Sequence, residues 1–388
     1  MDEIARIFTA LHDRWRTAGA EPIIGISVTQ ITQNTTTLSF LLGDIYMKVL
    51  RHSLLAMAVA APALAQAEDF TPNFYGRADI SINNTDTEAD GTTVTTSSNA
   101  SRIGIHNSHA IDEGLSVFYR LEYEVNWDER HKSGDDKSDN ADIDGQTLRN
   151  RNSIVGLKGG WGSVFVGIHD TPLKKAEQKV DLFSDVFNAD IDNVLEGQQR
   201  LSDTISYKTP KAAGLQGWVM LIPGEGEKNS GSDALGAPND DGVADAVSAS
   251  ITYETKPVSL ALAYETDVKD RDIVRLSAQH KSGPLQLGAL AQIAENSDGT
   301  GTDGLGYVLS VGYKVSDKNT LKLQFTSADD ESVEESAGSD MVSLGLDRKL
   351  GKSTKLYFFV TDRSNDDNAA EEYTSAGIGI QHKFGKDK

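Results

Sequence analysis

The stretch "LSVFYRLEYEVNW", residues 115–127, changes character at nearly every step. Leu115, Val117, Tyr119, Leu121, Tyr123, Val125 and Trp127 share one face, and Ser116, Arg120, Glu122, Glu124 and Asn126 share the other. A period of two is that of a strand, whose successive side chains point to opposite faces. The polar face is the telling one. It carries an arginine and two glutamates in mid-strand, which a water-filled interior tolerates, while the apolar face suits contact with lipid.

The same alternation recurs along the chain. It is found in "VSLALAY" (258–264), "LQLGALAQI" (285–293) and "LGYVLSVGYKV" (305–315). About sixteen candidate strands follow, near 70–83, 99–108, 114–127, 148–158, 161–169, 202–208, 214–222, 243–254, 256–266, 270–282, 283–294, 304–315, 319–328, 340–350, 353–364 and 373–384. Their connections alternate in length. One set is tight: "DEG", "GGWG", "KAAG", "ETKP", "KSGP", "VSDKN" and "LGKST". The other is long, acidic and rich in Gly and Ser: 84–98, 128–147, 170–201, 223–242, 295–303, 329–339 and 365–372. Short turns at one end and long loops at the other describe an all-β chain folded as a transmembrane antiparallel β-barrel. Trp127, Trp161, Tyr264, Tyr313 and Tyr373, near strand ends, suit its aromatic girdles. After residue 67 no stretch is apolar enough for a membrane-spanning helix, and a closed barrel is the other spanning solution. A soluble β-sandwich or β-helix is the competing architecture.

Composition narrows the function. The chain has 388 residues, 38% of them hydrophobic, and a formal net charge of −21. Such a surface repels phosphates and attracts cations, so nucleic acid is excluded as a natural partner. There is no cysteine, hence no disulfide, thiolate metal site or Cys nucleophile.

From Met47 the chain reads "MKVLRHSLLAMAVAAPALAQAED". Lys48 and Arg51 form a basic head, 53–64 a short apolar run, and "ALAQA" a cleavage site after Ala67. Residues 47–67 thus read as a signal peptide and 68–388 as the mature barrel. Residues 1–46 read as a non-native upstream extension. A genuine N-terminal extension is the alternative.

Several segments then resemble, in order, the general porins of Gram-negative outer membranes, the proteobacterial trimeric sixteen-stranded family. They are "FYGRADISI", "NASRIGI", "SIVGLKGGWGSVFVGIHDTPLK", "QQRLSDTISYKTP" and the final "SAGIGIQHKF". The resemblance covers nearly all of 68–384. It implies a homotrimer in contact with outer-membrane lipid and lipopolysaccharide, passing ions and small hydrophilic solutes. It also implies that the third loop folds into the lumen and narrows it. That loop is "HDTPLKKAEQKVDLFSDVFNADIDNVLEG" (169–197), between the fifth and sixth strands. Pro172 suits the start of a short helical turn. Phe183 and Phe187 can pin the loop to the wall while Asp181, Asp185, Asp190 and Asp192 face water.

Such porins set basic side chains opposite the loop, and the resemblance carries that role to Arg77, Arg102, Arg151 and Arg200. Strand parity independently turns Arg77, Arg102 and Arg200 inward, leaves Arg151 ambiguous, and adds Arg120. Acids on one side and guanidiniums on the other would set up a field across the opening, and the solute would be selected by size, charge and polarity. The acidic loop and the net charge favour cations mildly. A departure from the family is the tail "GKDK" after Phe384, where such chains usually end on the aromatic residue.

No catalytic residue, cofactor or metal site is legible. "GLDRKLGKST" (345–354) has one residue too many for a phosphate loop and sits on a strand–turn–strand. "DGTGTDG" (298–304) and "APNDDGVAD" (237–245) lack the helix-flanked spacing of calcium loops. The reading is therefore a porin for passive diffusion and not an enzyme. Its rivals are a porin selective for an anion or a sugar, a barrel enzyme needing a Ser–His cluster on the lipid face, and a plugged structural barrel.

Overall fold

The computed structural model describes residues 72–88, 91–127, 148–224, 243–297, 299, 304–329, 338–365 and 371–386. Residues 1–46 and 47–67, expected to be an extension and a signal peptide, lie outside the described residues, as do most of the long loops.

Eighteen strand segments form one sheet. They are β1 (Asn73–Thr87), β2 (Gly91–Ser98), β3 (Arg102–Asp112), β4 (Leu115–Val125), β5 (Leu148–Asn150), β6 (Ser153–Gly159), β7 (Gly162–Asp170), β8 (Arg200–Lys208), β9 (Leu215–Ile222), β10 (Ala246–Glu254), β11 (Val258–Val268), β12 (Arg271–Ser282), β13 (Leu285–Asn296), β14 (Gly304–Lys314), β15 (Asn319–Asp329), β16 (Ser339–Lys349), β17 (Thr354–Asn365) and β18 (Tyr373–Gly385). All pairings are antiparallel, and β1 pairs with β18 from Tyr75–Gly385 to Thr87–Tyr373, which closes the barrel. β2 and β3 both pair with β1 and make one strand broken at residues 99–101. β5 and β6 both pair with β4 and make one strand broken at Arg151 and Asn152. Sixteen spanning strands result, the number expected.

The two faces are inverted relative to a soluble sheet. On β14 the outward Leu305, Tyr307, Leu309, Val311 and Tyr313 are exposed, while Gly304, Gly306, Val308 and Ser310 between them are buried. The same stripe continues on neighbouring strands through Leu287, Leu323 and Leu344. Exposed aliphatic rows of this extent are what a barrel presents to hydrocarbon. Trp127, Trp161 and Tyr313 are exposed near strand ends, as girdle residues would be.

Two expectations need correction. Residues 84–98 are not a long loop, since β1 runs to Thr87 and β2 resumes at Gly91. The β-branched run "TTVTT" has no lipid-facing alternation but pairs well across a narrow hairpin. Tyr373 is not a girdle residue, because its hydroxyl donates to the Asn188 carbonyl at 3.0 Å.

The buried apolar groups lie mainly between the inner face and residues 171–199, which link β7 to β8. Leu173 and Ala176 meet Ala261, Ala263, Ile273 and Ala294. Val180, Ile191 and Leu195 meet Leu290 and Val308. Phe183, Val186 and Ala189 meet Tyr357 and Phe359. A further inner cluster joins Phe165, Trp218, Met220 and Ile222 on β7 and β9.

Candidate functional site

Residues 171–199 have little regular structure, so their backbone groups need partners elsewhere. A single helical turn, α1 (Pro172–Lys175), starts the segment, with Pro at its first position. Thr171 caps it, its hydroxyl accepting from the Lys174 N–H at 3.1 Å. Beyond it the wall supplies the partners. Ser310 donates to the Val180 carbonyl at 2.6 Å, and Gln279 to the Lys179 carbonyl at 2.8 Å. Gln324 accepts from the Leu182 N–H at 2.8 Å, and Lys322 donates to the Leu182 carbonyl at 2.9 Å. Arg275, fully buried, donates to the carbonyls of Leu173 at 3.2 Å and Glu196 at 2.7 Å.

Apolar contacts fix the same segment. Phe183 is fully buried, under the Lys322 ammonium at 4.3 Å from its ring centre. It fits because position 345 is glycine, where a Cβ would come within 2.7 Å of the ring. Phe187 is half-buried at the edge of the same cluster.

The predicted site residues do not all meet in the predicted way. Asp185 is not opposite the arginines but bonded to them. Its carboxylate accepts from Arg77 at 2.9 Å and Arg102 at 3.0 Å. Burial works against its charge, yet Arg77, Arg102 and Arg151 outweigh that and hold it down at about 2. Asp181 does not face water. It is buried, accepting from the Phe183 N–H at 2.7 Å and from Gln324 at 3.0 Å. Burial, with Asp190 and Glu177 nearby, pushes it well above the usual carboxylate range. Asp190 caps the turn at Ile191–Asn193 by accepting from the Asp192 N–H at 3.2 Å, and is raised by burial. Asp192 keeps an exposed edge beside Asp190. The cost of desolvation, then the charge of Asp190, raises it to about 7, and the same two causes raise Glu177 to about 7.

On the wall four of the five arginines, Arg77, Arg102, Arg120 and Arg151, cluster around acids that the strand pattern did not single out. Glu122 is the hub. It accepts from Arg151 at 3.1 Å and from the Tyr75 hydroxyl at 2.8 Å, with Arg102 at 3.8 Å and Arg120 at 3.7 Å. Glu124 takes the second arm of Arg151 and lies 3.2 Å from Arg149. Arg151, whose strand parity was ambiguous, sits at the break between β5 and β6, buried among these acids. Arg200 stands apart, 2.8 Å from Asp170 at the end of β7.

Two cavities flank this cluster. Toward the long-loop end, one of about 680 Å³ is lined by Lys174, Arg149, Arg151 and Arg200 and by Glu124, Asp185, Asp190 and Asp192. Toward the short-turn end, one of about 650 Å³ is lined by Tyr75, Arg77, Arg102, His106, Lys383 and Lys386 among others. Side chains of both signs thus line the two cavities on either side of the Arg77–Asp185–Arg102 ion pairs.

Comparison with known proteins adds four findings. The sequence profile of the family described as Gram-negative porin matches residues 53–368. Outer membrane porin protein 32 of Delftia acidovorans is 24% identical over 373 residues, covering 86% of this chain and all of the relative. Among solved structures, the anion-selective porin from Comamonas acidovorans superposes with a TM-score of 0.65 at 21% identity, over 81% of this chain and 99% of that one. The trimer form of OmpT, an outer membrane protein of Vibrio cholerae, superposes with a TM-score of 0.58 at 14% identity, over 81% and 99%.

Proposed function

This chain belongs to the Gram-negative porin family, and on that premise we propose that it forms a water-filled channel in the outer membrane for passive diffusion of ions and small hydrophilic solutes. The observation that carries the reading is the pair of cavities on either side of the Arg77–Asp185–Arg102 girdle. Residues 171–199 act as its internal constriction, seated by wall side chains around the barrel. Arg77, Arg102, Arg120 and Arg151 are the basic side of the filter, with Arg200 above them. Asp185, Asp190 and Asp192 are the acidic side, and Asp181 serves to seat the loop.

Charge selectivity is weak in this reading, and its sign is set locally. The formal net charge of −21 suggested cations. In the long-loop cavity four bases face four acids. In the short-turn cavity the bases have no carboxylate among the described lining residues. The lining therefore favours anions over cations, whatever the sign of the total. A homotrimer is the assembly expected, as the trimer form of the Vibrio protein shares the fold.

Swelling of proteoliposomes in sugars and amino acids of graded size tests the proposal. Rates that fall smoothly with solute size, without saturation, are expected. Saturable entry of a single solute would replace this reading with a substrate-selective porin.

A further inference from the structure

We propose that the short-turn mouth of the lumen is a binding site for small multivalent anions, such as oligophosphates, and that the C-terminal tail completes it. The proposal deepens the porin reading and rests on it, because it requires an open lumen.

Strand register supplies the first observation. Arg77 stands directly opposite Lys383 of β18 on one side and Arg102 of β3 on the other. Three cations thus form one row across adjacent strands. Like charges directly opposite one another destabilise a sheet. Asp185 relieves Arg77 and Arg102 from the loop side. It does not line the cavity toward the turns, where the row is joined by Lys386 and His106.

The tail supplies the second observation. Gly385 has a φ of +73°, and a Cβ there would lie 2.1 Å from the Phe74 carbonyl oxygen. Glycine alone lets the chain turn so close to β1. The Lys386 N–H then donates to that same Phe74 carbonyl at 3.0 Å. The Lys386 carbonyl accepts from His106 Nε2 at 2.6 Å. Two tethers hold the tail across β1 and β3, and they bring Lys386 to the cavity. Asp387 and Lys388 lie outside the described residues.

The result is a cavity of about 650 Å³ with Arg77, Arg102, Lys383 and Lys386 on its lining and no carboxylate among the described lining residues. Its size is that of a small-molecule site, roughly 300–1,000 Å³. Several cations converging on one water-filled space attract charge in proportion to its valence, so a multivalent anion gains over chloride. Arg77, Arg102 and Lys383 face the lumen, so the ligand is a dissolved anion and not a lipid headgroup.

The test is single-channel current in a zwitterionic bilayer with inorganic tripolyphosphate as the probe. The protein has no cysteine, so Lys318→Cys, in the turn between β14 and β15, can carry a biotin that streptavidin marks from one side. Tripolyphosphate added on the turn side is expected to reduce the potassium chloride current at lower concentration than from the loop side. The Lys383→Gln/Lys386→Gln double variant is expected to raise the half-blocking concentration about tenfold, as two charges near the ion are lost. Lys386→Gln alone is expected to raise it about threefold, by removing one of them. Equal block from both sides, or an unchanged half-blocking concentration in both variants, would overturn the site. Wild-type channels that conduct without any block would overturn this proposal alone. A wild-type protein that opens no channel would overturn the porin reading with it.

Discussion

Replacing Asp185 by Asn removes the one loop carboxylate that touches two wall arginines. It lies 2.9 Å from Arg77 and 3.0 Å from Arg102, with about a quarter of its side chain exposed. Two effects follow. An ion passing about 6 Å from the site feels one elementary charge as about 0.7 kcal/mol in water, a factor of about three in occupancy. Cations lose that factor and anions gain it, so the permeability ratio moves toward anions by about tenfold. The loop also loses an anchor. The carboxyl is held at about 2 rather than 3.8, which corresponds to a stabilisation on the order of 2 kcal/mol. Because the folded value is depressed, that stabilisation is present above pH 3.8 and fades as pH falls toward 2. The assay is the reversal potential in a tenfold potassium chloride gradient at pH 7, with the heat-modifiable gel shift as proof of a folded barrel. A folded D185N channel with an unchanged potential, or one shifted toward cations, would refute the placement of Asp185 in the filter.

Three further outcomes are expected. Glu177 and Asp192 are raised to about 7, so wild-type selectivity should move toward cations between pH 6 and 8 as these two groups ionise. Since their folded values lie above the unfolded ones of 4.5 and 3.8, protease protection of residues 171–199 should weaken as pH rises from about 4 to 7 and level off above that. Phe183→Ala empties a fully buried site on Gly345 and should cost the loop about 3–5 kcal/mol of seating, seen as noisy, enlarged conductance steps. Leu309→Arg, on the exposed stripe in mid-β14, should cost about 2–4 kcal/mol in reversible folding into lipid vesicles, while Ser310→Ala on the other face should not slow insertion.

The barrel was legible because its signal is local. Alternation in "LGYVLSVGYKV" and its relatives depends only on neighbours in sequence, and the turn-and-loop rhythm gave the strand count. It failed where lipid no longer dictates one face. Residues 91–98, GTTVTTSS, show no apolar alternation, so from sequence β2 reads as loop. Tyr373 was assigned by its position at a strand end, while its partner, Asn188, lies 185 residues away. Parity turned Arg77, Arg102, Arg120 and Arg200 inward, but it could not show what each would meet. Glu122 and Glu124 were visible as polar-face residues beside Arg120, and that proximity was the available hint of their role as hubs. The loop defeated sequence reading most. Asp181 and Asp185 are the same residue type four positions apart, yet one is buried beside Gln324 and the other bridges two arginines. Only the wall that each one reaches separates them, and that wall comes from strands far along the chain.

The most direct test of the central claim is single-channel conductance of the purified protein in a planar bilayer across a range of potassium chloride concentrations. A water-filled pore gives open steps whose conductance rises in proportion to bulk conductivity, grouped in threes if the barrels associate as trimers. Absence of any step, or a conductance that saturates at low salt, would contradict an open diffusion channel.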